Sequence, residues 1–409
     1  MSRSIKKFTT IFFFGISSGL PISLVLSTLK VMLVDNGFDL KTIGFFSLVS
    51  IPYSFKFLIS PFIDSLPIPF LTKKIGHRKS WIIISQLFLT IFIFLLGIVQ
   101  ITNSIILIAL FSILVAISSA SQDIVIDAYR IELIKTQDQG LASSYYVYGY
   151  RLGMLISGAL ALAMSEFFSW QIIYGMMSLI MIIFMSITVI AEESRINWRS
   201  KNQNLSIWIK NFIIEPFIDF SKKDKWFLIL IFIILFKLTD IFAGNLTMPF
   251  LIEIGYSKIE IATILKTFGL FATLLGVLVG GYIVKKLGLK KSIWLAISLQ
   301  GLSNLLFSII AIHGKDNNLL YLVIFFENSS GGIGDSVFIA YLSSLCNVVF
   351  SATQYSLLSS LASFSRSFLS SSAGIFAESL GWFKFFVLSS LLIVPSIILL
   401  FFIRIKKEK

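Results

Sequence analysis

The sequence is poor in the residues that soluble chemistry uses most. Cys346 is the only cysteine, so one chain holds no disulfide framework. His77 and His313 are the only histidines. They fall in expected loops on opposite sides of a membrane, which argues against a histidine-based metal site. No G-x-x-x-x-G-K-S/T string occurs, and that excludes nucleotide hydrolysis by the P-loop route. Charge is scarce too: 13% of the 409 residues are Asp, Glu, Lys or Arg, too few to cover a soluble domain of this length.

Hydrocarbon takes the place of charge. The chain is 56% hydrophobic, has 41 Phe and a mean hydropathy of +0.90. Apolar stretches of about 20 residues recur from end to end, each long enough to cross a hydrocarbon core of about 30 Å. The expected spans lie near 8–34, 43–65, 80–100, 104–129, 142–165, 171–190, 226–252, 257–284, 291–311, 318–345, 351–374 and 380–403. Arg3, Lys6 and Lys7 lead straight into a run too long for a signal-peptide core, so no cleavable signal is expected. Most of the 34 Lys and Arg fall in loops and tails of one side, with about three in loops of the other. This positive-inside asymmetry places both termini in the cytoplasm. It also reads the net charge of +13 as topology signals and solvated ends, which argues against a nucleic-acid surface.

Two halves are visible in the order of the spans. The long polar stretch EESRINWRSKNQN, followed by the amphipathic IWIKNFIIEPFIDFSKKDK, divides a six-span bundle at 1–190 from another at 226–409. Residues 191–225 form a cytoplasmic linker whose second part is apolar enough to lie in the membrane interface. KKIGHRKS at Lys73 recurs as KKLGLKKS at Lys285, 212 residues later. The same offset carries Asp123 onto Asp335, Ala128–Tyr129 onto Ala340–Tyr341, and Trp170 onto Trp382. The halves are therefore parallel repeats. Twelve helices in two parallel six-helix bundles are the plan of the major facilitator fold, an all-α membrane architecture.

Longer strings sharpen this. SGLPISLVLSTLK, IGFFSLVSIPYSFKFLISPFIDSLPIP, SQDIVIDAYRIE and GYRLGMLISG resemble the AmpG family of muropeptide permeases within the major facilitator superfamily. So do FKLTDIFAGNLTMPFLIEIGYSKIEIATILKTFGL and ATQYSLLSSLASFSR in the second half. The resemblance implies a multi-pass protein of the bacterial inner membrane. It implies import of anhydro-muropeptides, the glycopeptides released by cell-wall turnover, driven by the proton gradient with no bound cofactor. Partners would be this small glycopeptide, protons and membrane lipids, and a monomer is expected. Two positions depart from the family pattern: Ser65 follows Asp64 where Arg is usual, and Lys30 stands in span one where an uncharged residue is common. The alternative is a major facilitator carrier for another bulky anion, such as a coenzyme A ester or a peptide. An intramembrane enzyme acting on lipid-linked sugars would need a large catalytic loop, and no loop here is large enough.

Ionisable residues inside spans mark candidate sites, because each costs about 2.5–3.5 kcal/mol to insert and faces a cavity or a partner. In SQDIVIDAYRIE, positions 123, 127 and 130 share one helical face. Asp123 lies about 28 Å from the outer end of span four at 1.5 Å per residue, with Arg130 nearer the cytoplasm. Asp64, Asp127 and Arg130 are assigned to an inner gate. Glu132 points off that face and is expected in solvent. Lys56, Gln122, Asp123, Arg151, Lys237 and Asp240 are the expected substrate-binding residues: cations for carboxylates, acids for a diaminopimelate ammonium, and the amide for sugar hydroxyls. Tyr53, Tyr129 and Tyr148 are further hydroxyl partners; Lys266 and Arg366 are further buried cations. Asp123 and Glu327 are the expected proton carriers, since coupling needs a carboxylate whose ionisation burial and a nearby cation can tune. Gly19 and Pro21 in span one, and Gly332 and Gly334 with Gly331 in span ten, are expected as hinges or close helix crossings.

Overall fold

A computed structural model describes residues 3–99, 104–194, 204–244, 246–370 and 373–403. The described residues are helical with no strand. In hydrocarbon every backbone N–H and C=O must be satisfied within its own segment, and the α-helix does this along a single run. Among the described residues, nine helices are long and apolar enough to cross a membrane, from Ile5–Asp35 to Ala373–Phe402. A tenth span is the bent pair Lys41–Ser54 and Lys56–Ser65. The helices Asn317–Leu345 and Ser351–Ser370, of 29 and 20 residues, are each long enough to cross, and Asn317–Leu345 meets the same standard of length and composition together with Val348–Ser363 as a pair bent by 107°. Large apolar side chains such as Leu179, Ile183, Phe271, Leu302 and Phe401 stay exposed, as lipid-facing residues must.

The compact units are not the two halves of the sequence. One comprises Met1–Lys135, Tyr145–Phe217 and Cys346–Ser360; the other comprises Thr136–Ser144, Ile218–Leu345 and Leu361–Lys409. Each half thus lends the start of one span to the other unit. Each unit has its own apolar core. In the first, Leu20, Leu24, Leu89, Ile93, Val115 and Met181 pack together. In the second, Phe250, Phe307, Phe385 and Phe386 form an aromatic cluster with ring centroids 4.7–6.5 Å apart.

Within the first unit, spans one and five touch backbone to backbone. A Cβ on Gly15 or Gly19 would collide with the carbonyls of Tyr146 or Tyr150; one on Gly149 or Gly153 would collide with those of Phe12 or Ile16. Spans eight and ten cross as closely in the second unit, where Gly276 lies on the carbonyl of Ser329 and Gly332 on that of Thr273. Span ten runs unbroken through Gly331, Gly332 and Gly334, so these glycines supply clearance and no kink. Gly19 likewise lies inside a continuous helix that ends at Val25.

Breaks occur elsewhere, and they are paired between the repeats. Span one is interrupted at Leu26, between helices Arg3–Val25 and Ser27–Asp35. Span seven is interrupted at Lys237, between Trp226–Phe236 and Leu238–Gly244, one residue from the position that the 212-residue offset predicts. Span two is the most irregular, a chain of short pieces with 3-10 turns at Phe46–Ser50 and Lys56–Leu58. Pro52 and Pro61 each sit in the first turn of such a piece, where a missing N–H costs nothing. Span eight carries the π-helical stretch Ala262–Phe268, which includes Lys266. Irregular backbone at membrane depth is tolerated where it faces protein or a polar cavity, so these breaks point to the interior sites.

Candidate functional site

In the first unit, the polar interior is built around Asp123, which is buried. Ser18 from span one and Lys56 from span two lie within its electrostatic reach, with Asp127 one turn along its own helix. Tyr53 stands against Ser119, and Tyr146 and Tyr150 from span five share the fields of Asp123 and Asp127. Arg151 adjoins Tyr150. Among the described residues, buried Asp123 Oδ1, Tyr53 OH, Ser18 Oγ and Ser119 Oγ make no hydrogen bond of good geometry, although Ser18 faces Asp123 and Ser119 faces Tyr53. Buried polar groups so weakly satisfied are capacity suited to a polar solute.

Gln122 occupies a different environment. Pro21 has no N–H for the carbonyl four residues back, which leaves the oxygen of Ser17 without its helical partner. Gln122 Nε2 donates to that oxygen at 2.9 Å, and Gln122 Oε1 accepts from the Ser17 hydroxyl at 3.0 Å. Gln86 and Thr188 continue this seam, with Gln86 Nε2 donating to Ser17 Oγ at 3.2 Å and Thr188 Oγ1 to Gln86 Oε1 at 2.9 Å. Gln122 and Pro21 therefore form one structural device. Tyr129 is similarly tied, its hydroxyl donating to the carbonyl of Glu192.

In the second unit, Lys237 sits at the break in span seven and donates to three acceptors. These are Asp335 Oδ1 at 2.8 Å, Asp240 Oδ2 at 3.2 Å and the carbonyl of Gly331 at 3.3 Å. Glu327 lies within the field of both Asp240 and Lys237. Residues 327, 331 and 335 recur at four-residue spacing, so they line one face of span ten, and the glycine between the two acids admits the ammonium. Asp335, known from the sequence only as the repeat partner of Asp123, is thus a member of the cluster.

A third group lies at the end of spans two and four and the start of spans three and eleven in the first unit. Asp64 Oδ1 pairs with Arg78 at 2.7 Å. Asp64 Oδ2 accepts from the backbone N–H of Thr353 at 2.8 Å and from its hydroxyl at 2.7 Å, which places a carboxylate on the N-terminus of span eleven. Arg78 also pairs with Glu132 at 2.6 Å, and Ser351 Oγ donates to the same Glu132 oxygen at 2.6 Å. Asp127 pairs with Arg130 at 3.2 Å, and the buried guanidinium lies over the rings of Tyr355 and Tyr146 at 5.4 and 5.8 Å. This corrects two expectations. The side chain of Glu132 is 1% exposed and not solvated. The basic loop at 73–79 is more than a topology signal, because Arg78 and Lys79 are buried. Each charge leaves water because an opposite charge and donated hydrogen bonds replace its hydration.

Lys79 and Glu193 add a reciprocal cap that sequence reading missed. Glu193 accepts from the N–H groups of Arg78 at 3.1 Å and Lys79 at 3.2 Å, closing the start of span three. Lys79 Nζ donates to the carbonyls of Val189 and Ala191 at 2.8 Å, closing the end of span six. Burial pushes the Glu193 carboxyl above its ordinary range, against the lowering pull of the Lys79 and Arg78 N–H groups. The two histidines stand at helix ends: His77 opens span three with Nε2 at 2.8 Å from the carbonyl of Ile63, and His313 closes span nine. In the linker, Trp208 packs on Phe62 while Ile213, Ile214 and Phe217 stay exposed, as an interfacial segment requires. The side chain of Arg366 lies outside the described residues, and so do linker residues 195–203.

Apolar spans in two sequence repeats around charged interiors define a transporter of the major facilitator type. The sequence model of the Major Facilitator Superfamily matches residues 11–239. Among solved structures, a human organic anion transporter superposes with a TM-score of 0.73 at 13% identity, covering 98% of this chain and 100% of that one. A bacterial homologue of the iron transporter ferroportin does so with a TM-score of 0.70 at 15% identity, covering 98% of this chain and 99% of its own. At such identities the likeness concerns the fold alone. AmpG 1 of Rickettsia bellii is 34% identical over 417 residues, covering 100% of both chains. The anhydromuropeptide permease of Escherichia coli is 37% identical over 392 residues, covering 95% of this chain and 78% of its own. The chain belongs to the AmpG family of the major facilitator superfamily. It is a multi-pass membrane transporter and not an enzyme.

Proposed function

We propose that this transporter imports anhydro-muropeptides across the bacterial inner membrane, driven by the proton gradient, with both termini in the cytoplasm and the monomer as the working unit. The observation that carries this reading is the presence of both signs of charge inside each unit: Lys56 and Arg151 around Asp123, and Lys237 among Asp240, Asp335 and Glu327. A glycopeptide with carboxylates, an ammonium and sugar hydroxyls meets complementary groups in such an interior. The names of the relatives support the substrate class.

In this reading Asp123 and Glu327 are the residues that take up and release the proton. Lys56, Arg151, Lys237 and Asp240 contact substrate. Gln122 acts through span one, whose Ser17 it holds. Asp64, Arg78, Asp127, Arg130 and Glu132 form a latch around the first turns of span eleven, and transport opens and closes it. Ser351 and Thr353 are the groups gripped. The close crossings at Gly19 and Gly332 transmit the movement as rigid contacts.

Competition tests the substrate class. Uptake of radiolabelled anhydro-muropeptide into vesicles bearing the protein should be suppressed by excess unlabelled anhydro-muropeptide. It should be unaffected by the same concentration of a coenzyme A ester or an unrelated peptide. Suppression by either of those, with labelled ester or peptide itself taken up, would move the assignment to another bulky anion.

A further inference from the structure

The second unit buries two side-chain amides that none of the roles above uses. Gln300, on span nine, is 1% exposed, and neither its Nε2 nor its Oε1 makes a hydrogen bond among the described residues. Asn304 is buried one turn further along the same helix face. Its Nδ2 donates to the carbonyl of Thr239 at 2.8 Å, while its Oδ1 makes no hydrogen bond among the described residues. An amide offers two N–H donors and a carbonyl acceptor, and burying these unmatched is a standing cost that an incoming polar group removes.

The fold fixes the place of both amides. Ser303 Oγ donates to the carbonyl of Gln300 at 3.0 Å and accepts from Ser330 Oγ at 2.8 Å, which ties span nine to span ten. A Cβ on Gly334 would fall on Gln300 Nε2 and lie 3.3 Å from Lys237 Nζ, so only a glycine leaves the amide its place beside span ten. Lys237 is the break in span seven, and Thr239, held by Asn304, follows just beyond it. Both amides thus stand behind irregular backbone at membrane depth, where an interior site is expected.

Spacing and chemistry identify the ligand. Four residues of span nine separate the two amides, a rise of about 6 Å at 1.5 Å per residue. In an extended peptide, residues two apart lie about 6.6 Å along the chain, with their N–H and C=O groups on the same edge. A primary amide meets that edge as a neighbouring strand does, its Oε1 accepting the N–H and its Nε2 donating to the C=O of one residue. Asn304 Oδ1 stands at the distance of a second N–H along the same edge. A carboxylate ligand fits poorly, because two of the three unmatched atoms, Gln300 Oε1 and Asn304 Oδ1, are acceptors.

We infer that Gln300 and Asn304 form a subsite for the main chain of an extended peptide, Gln300 pairing with both backbone groups of one residue and Asn304 accepting a second N–H further along. Such a subsite reads amide linkages and not side chains. In a substrate of the proposed class the segment bound is the amide-linked stem, and the subsite rests on that reading for the identity of its ligand. Gly334 is the positioning residue, because any side chain there would displace the Gln300 amide.

The test sets unlabelled competitors against uptake of radiolabelled anhydro-muropeptide into vesicles. They are the same glycopeptide and a series in which each backbone N–H of the stem in turn is replaced by an ester oxygen. The wild-type protein should prefer the amide over the ester by about tenfold at two linkages, the cost of leaving a buried acceptor without its donor. Gln300→Met removes no side-chain hydrogen bond made among the described residues, so its folding should be preserved. It should bring the amide-to-ester ratio to about one at one of those linkages and leave the other discriminated by Asn304. Gln300→Glu keeps the acceptor and should keep the preference at both, a split that a merely structural glutamine would not produce. Equal inhibition by every ester form in the wild type, as expected if the amides only hold water, would overturn the subsite. So would an unchanged pair of ratios in Gln300→Met. Absence of any wild-type uptake above empty vesicles would instead remove the muropeptide reading, and with it the ligand.

Discussion

Arg78→Met is expected to destabilise the protein by about 3–5 kcal/mol, the usual cost of removing one partner from a buried ion pair. The guanidinium pairs with Asp64 at 2.7 Å and Glu132 at 2.6 Å, all three side chains being 6% exposed or less. Deleting it strands two carboxylates away from water. Methionine keeps most of the volume, so the loss is electrostatic and not a packing defect. Adding Glu132→Gln to the same background should recover a substantial part, because one stranded charge becomes neutral. Thermal unfolding of the purified protein in detergent measures both. An unchanged unfolding temperature for Arg78→Met would show that the network bears little of the fold.

The largest functional effect is expected at the proposed proton carriers. Asp123→Asn and Glu327→Gln keep the size of the side chain and remove its ability to exchange a proton. Each should reduce concentrative uptake to the level of empty vesicles while folded protein remains in the membrane. Exchange of internal for external substrate separates their roles, since a carrier that moves loaded in both directions needs no net proton release. The variant that retains exchange has lost coupling only; the one that loses both has lost a substrate contact. Full gradient-driven uptake in both variants would contradict the assignment of coupling to these two residues.

Much of this architecture was legible in the sequence, because hydrophobic length is a local property. The apolar runs, the 212-residue repeat and the Lys237–Asp240 spacing each need only a few neighbouring residues to be read. What the sequence hid depends on distant parts of the chain. Arg78 and Lys79 look like members of a basic loop until Glu132 and Glu193 are brought to them across 54 and 114 residues. Asp64 was legible as a buried charge, but the span-eleven amide that it caps lies 289 residues away. Gln300 carries no periodic or charged signal. Only the packing of spans seven, nine and ten shows that its amide is buried unpaired beside Lys237. The glycines were legible as special positions, yet only the structure separates clearance at Gly332 from a kink.

The same contrast explains why Gln122 looked like a ligand. An amide beside Asp123 on a membrane helix matches the pattern of a polar cavity. Yet the carbonyl freed by Pro21, 101 residues earlier in the chain, engages it. A proline and a glutamine on different helices can be one unit, and neither is interpretable alone.

The most direct test of the account is uptake of radiolabelled anhydro-muropeptide into vesicles containing this protein, with and without a protonophore. Accumulation above the external concentration is expected, and it should collapse when the protonophore is added. Uptake that ignores the protonophore would retain the substrate and discard proton coupling; no uptake above empty vesicles would contradict the account at its centre.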